Sequence, residues 1–205
     1  MVAFGNQGEL LQGCIEEYDA GYPSKLSLSF ETASDPLIID LFDCLHAVKH
    51  DFKSSNWYFR DIFQPLIGKN YFHPYKQEFF PTCTFQFIKM LSKFFPKHKL
   101  LISDFNHIPD SLAGWNAPLV QTRYKGQRVV SSTLLVEKGK FDIFFPTDFK
   151  VFQKIYHQFF PSRASSILSN YEFMKRWADY KSTRTKSGFN PLLEEFQNVN
   201  FFLSL

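Results

Sequence analysis

The sequence is poor in cysteine and contains no long apolar run. Its three cysteines, Cys14, Cys44 and Cys83, are odd in number, lie far apart and never form a Cys-x-x-Cys pair. This spacing argues against a disulfide framework and is typical of proteins in a reducing compartment. No apolar stretch approaches the roughly 20 residues that a membrane-spanning helix needs, so we expect no membrane span.

Basic residues are also scarce where targeting signals carry them. Residues 1–17 contain no lysine or arginine and three glutamates, a composition unlike a secretory signal or a mitochondrial presequence. The net charge of +3 is weak evidence for a polyanionic partner. The densest basic stretch, residues 89–99, combines four lysines with Phe94 and Phe95. A nucleic-acid groove has this composition, but we interpret the stretch as the solvated face of a helix.

Phenylalanine is abundant, with 26 copies among 205 residues. Hydrophobic residues make up 44% of the chain and charged residues 21%, as in ordinary globular proteins. Aromatic side chains bury large areas, so we expect a thick core or a broad aromatic contact surface. The length suits one sizeable core, and we predict a single domain over residues 1–205.

The apolar pattern alternates between helical and strand periodicity. Helices are predicted over residues 9–19, after residue 40, over 82–95, after Thr147 or Asp148, after a Ser169–Glu172 capping box, and from Asn190. Strands are predicted around residues 26–30, 37–39, 100–104, 119–124, 129–136 and 141–145. Residues 64–81 are predicted to form a long loop. This order indicates an α/β layered domain with a mixed sheet and a β-rich carboxyl-terminal portion.

Two of the predicted strands end in an aspartate. Asp40 follows the apolar run Leu37–Ile39, and Asp104 follows Leu100–Ser103. Ligands of open α/β sheets lie beyond the carboxyl ends of the strands, so both carboxylates are candidate binding groups. The alternative is that each aspartate caps the helix that follows it.

The sequence around these aspartates resembles a known family. The run from Asp35 to His46, the strand Leu100–Phe105, the blocks 116–124 and 139–149, and residues 190–202 are similar to MidA-like S-adenosylmethionine-dependent methyltransferases, in particular their fungal branch. The resemblance covers residues 36–205 and leaves 1–35 as a short or degenerate beginning. It implies a Rossmann-like methyltransferase sheet, a mitochondrial location and a protein arginine as substrate.

The resemblance also implies roles for particular residues. Asp40 and Asp43 become the candidate catalytic carboxylates, because a carboxylate pairs well with the planar fork of a guanidinium. Asp104 is expected in the wall of the site, and Arg123 is a second candidate on the substrate side, with a surface ion pair as its alternative explanation. Asp43, His46 and His50 share a predicted helix face, but we interpret them as surface groups and predict no metal.

The expected cofactor loop departs from the family pattern. Such enzymes need a glycine-rich turn after their first strand, and this chain has only Gly5 and Gly8 before the first predicted helix. Glu31 stands where the acidic residue for the ribose belongs. Gly5, Gly8 and Glu31 are therefore the candidate S-adenosylmethionine contacts. The alternative is a non-catalytic scaffold that retains the carboxyl-terminal sheet and binds a partner protein or a second copy of itself.

Overall fold

The computed structural model describes residues 1–4, 9–18, 25–48 and 76–205. Ten strands lie within this part of the chain: β1 (Val2–Phe4), β2 (Leu10–Tyr18), β3 (Lys25–Thr32), β4 (Lys76–Glu78), β5 (Leu100–Phe105), β6 (Leu119–Tyr124), β7 (Gln127–Ser131), β8 (Asp142–Phe144), β9 (Ser166–Ser169) and β10 (Val199–Ser204). Five helices accompany them: α1 (Pro36–Ala47), α2 (Thr82–Phe94), α3 (Phe149–Phe159), α4 (Asn170–Trp177) and α5 (Pro191–Glu194).

The strands form three separate sheets. Their orders are β3-β2-β1-β4, β5-β10-β9 and β7-β6-β8. Every ladder between these named strands is antiparallel. The predicted α/β character is confirmed, but in the described part of the chain the named strands form antiparallel sheets and not the predicted mixed sheet.

Two predicted elements are wrong in type. Residues 10–18 form a strand and not a helix, because β2 pairs along its length with β3 and, at its start, with β1. These cross-strand hydrogen bonds override an apolar spacing that also suits a helix. Residues 37–39 lie in helix α1 and not in a strand. Asp35 caps α1 by accepting a hydrogen bond from the Leu37 amide at 2.8 Å, and Pro36 occupies its first turn.

Most of the later elements were predicted from local signals. Helix α2 ends within one residue of its prediction, and α3 begins after the N-cap Asp148. The Ser169–Glu172 capping box starts α4, and Asn190 caps the short α5. Strands β9 and β10 were not predicted, and the predicted loop at 64–81 lies mostly outside the described residues.

The core lies between helices α1–α3 and the sheet β5-β10-β9. Tyr156 of α3 and Phe202 of β10 are fully buried, with ring centroids 5.1 Å apart. Leu41, Leu45 and Ile88 join the same cluster from α1 and α2. This packing fixes the position of β5 and of the start of α3, which carry the site described next.

Candidate functional site

A cavity of about 460 Å³ lies where β2 meets the ends of β5, α2 and α3. Cavities of this size hold small ligands or an inserted side chain. Gly13 and Ile15 of β2 form one wall, and residues 81–84 at the start of α2 form another. Five aromatic residues also line the cavity: Phe79, Phe80, Trp115, Phe145 and Phe152.

The charged side chains in the described lining of this cavity are both carboxylates, those of Asp104 and Asp148. No lysine, arginine or histidine occurs among these lining residues. Two carboxylates and several aromatic faces together favour a cation, since ring faces attract cations as carboxylates do. The charged side chains of the described lining therefore favour positive charge, while Met1, which also lines the cavity, carries an α-ammonium whose pKa is lowered by burial.

Asp104 is held rigidly at the end of β5. Its Oδ2 accepts a hydrogen bond from Thr147 Oγ1 at 2.6 Å, and its Oδ1 accepts one from the amide of Phe105 at 2.8 Å. The amide of Thr147 in turn donates to the carbonyl of Phe105 at 2.7 Å. A carboxylate has about four acceptor positions, so Asp104 retains acceptor capacity for a ligand.

Asp148 links the start of α3 to the loop across the cavity. Its Oδ1 accepts hydrogen bonds from the amides of Lys150 and Val151, both at 3.1 Å, and so caps the helix. Its Oδ2 accepts a hydrogen bond from Trp115 Nε1 at 3.3 Å. Asp148 is therefore a structural cap that also presents negative charge to the cavity.

The loop that carries Trp115 and Asn116 is fixed by its contacts with residues 77–79. The Phe79 amide donates to the Trp115 carbonyl at 3.0 Å, and Asn116 Nδ2 donates to the Phe79 carbonyl at 3.2 Å. Asn116 Oδ1 is buried and has no hydrogen-bond partner in the described part of the chain. A buried amide oxygen without a partner is energetically costly.

Gly114 allows this loop to approach residue 77 closely. Its φ is +125°, and a Cβ there would lie 2.6 Å from the carbonyl oxygen of Gln77. We expect Gly114→Ala to lower the free energy of unfolding by about 2 kcal/mol or more, because a steric clash adds to backbone strain. Gly139→Ala is the matched control, since its φ is +78° and nothing lies within 4 Å of the added carbon. Urea unfolding midpoints that fall equally in both variants would contradict the steric argument.

Of the predicted site residues in the described part, Asp104 lines the cavity. Asp40 and Asp43 lie on α1 with exposed side chains, and Asp40 Oδ2 is 2.8 Å from Lys89 Nζ. Asp40 therefore does not end a strand as predicted. Arg123 is exposed on β6, directly opposite Arg128 of β7.

Of the predicted cofactor residues in the described part of the chain, Glu31 does not line this cavity. Glu31 accepts hydrogen bonds from Gln12 at 2.8 Å and from the Cys14 thiol at 3.2 Å, on the β2 face opposite to Gly13 and Ile15. The Cys14 and Gln12 hydrogen bonds lower the pKa of Glu31. Gly5, Gly8 and His50 lie outside the described residues. Glu31, the predicted ribose contact, therefore does not join the carboxylates of the cavity.

Sequence reasoning missed most of the cavity wall. Thr147 and Asp148 were recognised as alternative caps within the family-like block 139–149. Asn116 had no signal beyond its place at the start of the block 116–124, and Trp115 had none. The loop of Asn116 reaches the cavity through its hydrogen bond to Phe79, 37 residues earlier in the chain.

No helix in the described part is long and apolar enough to cross a membrane.

Comparison with known proteins places the cavity within a family-like segment. A family model described as S-adenosyl-L-methionine-dependent methyltransferase matches residues 32–163, more than half of the chain. A Schizosaccharomyces pombe protein named "Protein arginine methyltransferase NDUFAF7 homolog, mitochondrial" is 31% identical over 114 residues. That alignment covers 54% of this chain and 24% of the relative, so the chain spans about a quarter of the relative's length. No solved structure matches the chain significantly. Apart from Met1, Gly13 and Ile15, the described residues that line the cavity lie within the matched segment.

Proposed function

Because this chain belongs to a family of S-adenosyl-L-methionine-dependent methyltransferases, we propose that it methylates an arginine side chain of a protein and that the cavity receives the guanidinium. S-adenosylmethionine is the proposed methyl donor. The observation that carries the proposal is the pair of carboxylates, Asp104 and Asp148, in a cavity whose described lining has no basic side chain. The name of the S. pombe relative, which describes a protein arginine methyltransferase, supports the choice of arginine.

A guanidinium matches the available hydrogen-bonding groups. It carries five N–H donors and no acceptor, and it stacks on aromatic faces. Asp104 and Asp148 supply carboxylate acceptors in the cavity, and Trp115 and Phe145 line it with aromatic rings. The start of α2, which has no side-chain cap, favours negative charge. A backbone carbonyl of the acceptor peptide suits that wall, which favours a peptide over free guanidine.

Positioning is the contribution that these residues make to the reaction. Methyl transfer needs the acceptor nitrogen held in one orientation while water is excluded. Asp104, fixed by Thr147 and by the amide of Phe105, orients one edge of the guanidinium. The aromatic walls cover its planar faces. Asp148 supplies a second negative charge that opposes release of the cation.

The test of the proposal is methyl transfer to a short peptide. The folded chain is incubated with S-adenosylmethionine labelled on its methyl group and with a glycine-flanked arginine peptide. Matched peptides carry citrulline, which is an uncharged isostere of arginine, or lysine. We expect label in the arginine peptide alone. Equal labelling of the lysine peptide, or no labelling by a chain that binds the cofactor, would contradict the proposal.

Thr147 offers a separate prediction about how Asp104 is positioned. Thr147→Val keeps the side-chain shape but removes the hydroxyl that donates to Asp104 Oδ2. We expect affinity for the arginine peptide to fall by about tenfold, which corresponds to one lost charge-assisted hydrogen bond. Thr147→Ser restores the donor and is expected to restore affinity. If serine and valine weaken binding equally, the hydroxyl does not position Asp104.

A non-catalytic scaffold is the second candidate, and it is favoured by the position of Glu31 on the β2 face away from the cavity. The two candidates differ in cofactor binding. Calorimetric titration with S-adenosylmethionine and S-adenosylhomocysteine is the discriminating measurement. Micromolar binding, about 8 kcal/mol, favours the enzyme. No heat from a folded sample with either ligand favours the scaffold.

Two further expectations remain proposals alongside this one. We propose a mitochondrial location, because the S. pombe relative is named as a mitochondrial protein. We also propose that the chain belongs to one Rossmann-like domain over residues 1–205, with 36–205 as its family-like core. Co-localisation of a tagged chain with a mitochondrial marker tests the first, and a single cooperative unfolding transition tests the second.

A further inference from the structure

Helix α2 carries an apolar stripe on its solvent-facing side. We call Cys83, Phe87, Met90 and Phe94 the α2 outer stripe. Their spacing of four, three and four residues places them within about 60° around the helix axis. Phe87 is 36% exposed, Met90 49% and Phe94 61%.

The α2 outer stripe is not needed to pack helix α2 against the core. Phe85 and Ile88, on the other side of α2, are buried and supply its packing. The ring of Phe85 lies 5.8 Å from that of Phe159 on α3. The helix is therefore apolar on two sides, although it needs only one to join the core. A contiguous exposed apolar patch of this kind is typical of a binding surface.

Exposed lysines near the α2 outer stripe indicate that its binding partner is acidic. Lys93, Lys97 and Lys99 are exposed and have no carboxylate partner in the described part of the chain. Lys93 instead lies 5.1 Å from the centroid of the Phe94 ring. Lys89 is the exception, because it pairs with Asp40. Acidic groups on a partner would complement the three remaining lysines.

The α2 outer stripe begins at the wall of the cavity. Cys83 belongs to both, since it lines the cavity and begins the stripe. The distance along the helix from Cys83 to Phe94 is about 16 Å at 1.5 Å per residue. An extended peptide covers that distance in about five residues. A peptide with a side chain in the cavity can therefore contact the whole stripe.

We propose that the α2 outer stripe docks the protein whose arginine enters the cavity. This inference rests on the proposed function. The docked segment lies within about five residues of the arginine and carries apolar side chains for Phe87, Met90 and Phe94. It also carries acidic side chains for Lys93, Lys97 and Lys99. A protein is favoured over an anionic membrane or a second copy of this chain because the stripe and the cavity are continuous.

The experiment compares two synthetic peptides by calorimetry. The short peptide is a glycine-flanked arginine. In the long peptide, two glycines and an alternating leucine–aspartate tail follow the arginine. Two further peptides replace the leucines with serine or the aspartates with lysine. Each is titrated into the natural chain and into Met90→Ser/Phe94→Ser, whose substituted side chains lie outside the cavity.

We expect the long peptide to bind the natural chain at least about tenfold more tightly than the short one. That gain is expected to disappear in the double variant and with either altered tail, while the short peptide binds both chains equally. A short peptide that binds without any gain from the tail overturns the docking inference and leaves the proposed function standing. If neither peptide binds, the proposed function fails, and the docking inference fails with it.

Two further experiments test whether the α2 outer stripe instead binds a membrane or a second copy of this chain. Sedimentation with anionic phospholipid vesicles tests a membrane, and sedimentation velocity tests self-association. Binding to vesicles, or dimerisation, that the natural chain shows and Met90→Ser/Phe94→Ser loses would overturn the assignment of the stripe to a protein acceptor. No vesicle binding and no dimerisation by the natural chain supports it.

Discussion

Replacing Asp104 with asparagine is expected to weaken binding of an arginine peptide by about 30-fold, or about 2 kcal/mol. The substitution keeps the size of the side chain and an oxygen that can accept from Thr147, but it removes one of the two negative charges in the described cavity lining. Asp104 is partly buried, so solvent screens its charge less than it would at the surface. The measurement is a calorimetric titration with the arginine peptide.

Asp40 and Asp43 supply the matched comparison for this variant. Both are exposed on α1 and do not line the cavity. Asp40→Asn and Asp43→Asn are each expected to change peptide affinity by less than about twofold, as exposed charges usually do. A large loss in either variant, together with no loss in Asp104→Asn, would return the acceptor site to the carboxylates that the family resemblance first indicated.

Phe202→Ala is expected to have the largest effect on stability, about 3–5 kcal/mol. Phe202 lies in β10, the central strand of β5-β10-β9, and is fully buried. Its ring centroid is 4.7 Å from that of Phe152 and 5.1 Å from that of Tyr156. The substitution removes these contacts and leaves a cavity between the sheet and α3.

Phe94→Ala is the control for this prediction because the same residue type is 61% exposed on α2. We expect its free energy of unfolding to stay within about 0.5 kcal/mol of the natural value. The measurement is urea unfolding followed by circular dichroism. Equal destabilisation by the two variants would show that the core is not where the structure places it.

Local signals predicted the helices better than they predicted the sheets. Helix α2 and the caps at Asp148, Ser169 and Asn190 depend on residues a few positions apart, so the sequence alone was sufficient. Strand pairing depends on residues far apart. Residues 10–18 were misread as helical because their pairing with β3 has no local signature. The run after Asp35 was misread as a strand although its aspartate–proline start is also a helix signal.

The site could be predicted only where its residues have a signal in the neighbouring sequence. Asp104 was identified from the end of its own strand, and the structure does place it in the cavity. Asn116 and Trp115 could not be identified locally, because distant backbone contacts with Phe79 hold their loop. The strand pattern and the family resemblance place Asp40 in the site, whereas in helix α1 its carboxylate pairs with Lys89.

The most direct measurement of the central claim is a calorimetric comparison of an arginine peptide with its citrulline counterpart on the natural chain. The two peptides have nearly the same shape and differ in charge. If Asp104 and Asp148 make the cavity selective for a guanidinium, the arginine peptide should bind at least tenfold more tightly, about 1.4 kcal/mol, and Asp104→Asn should reduce that preference. Equal affinity for the two peptides, or tighter binding of citrulline, would contradict a cation-selective acceptor site.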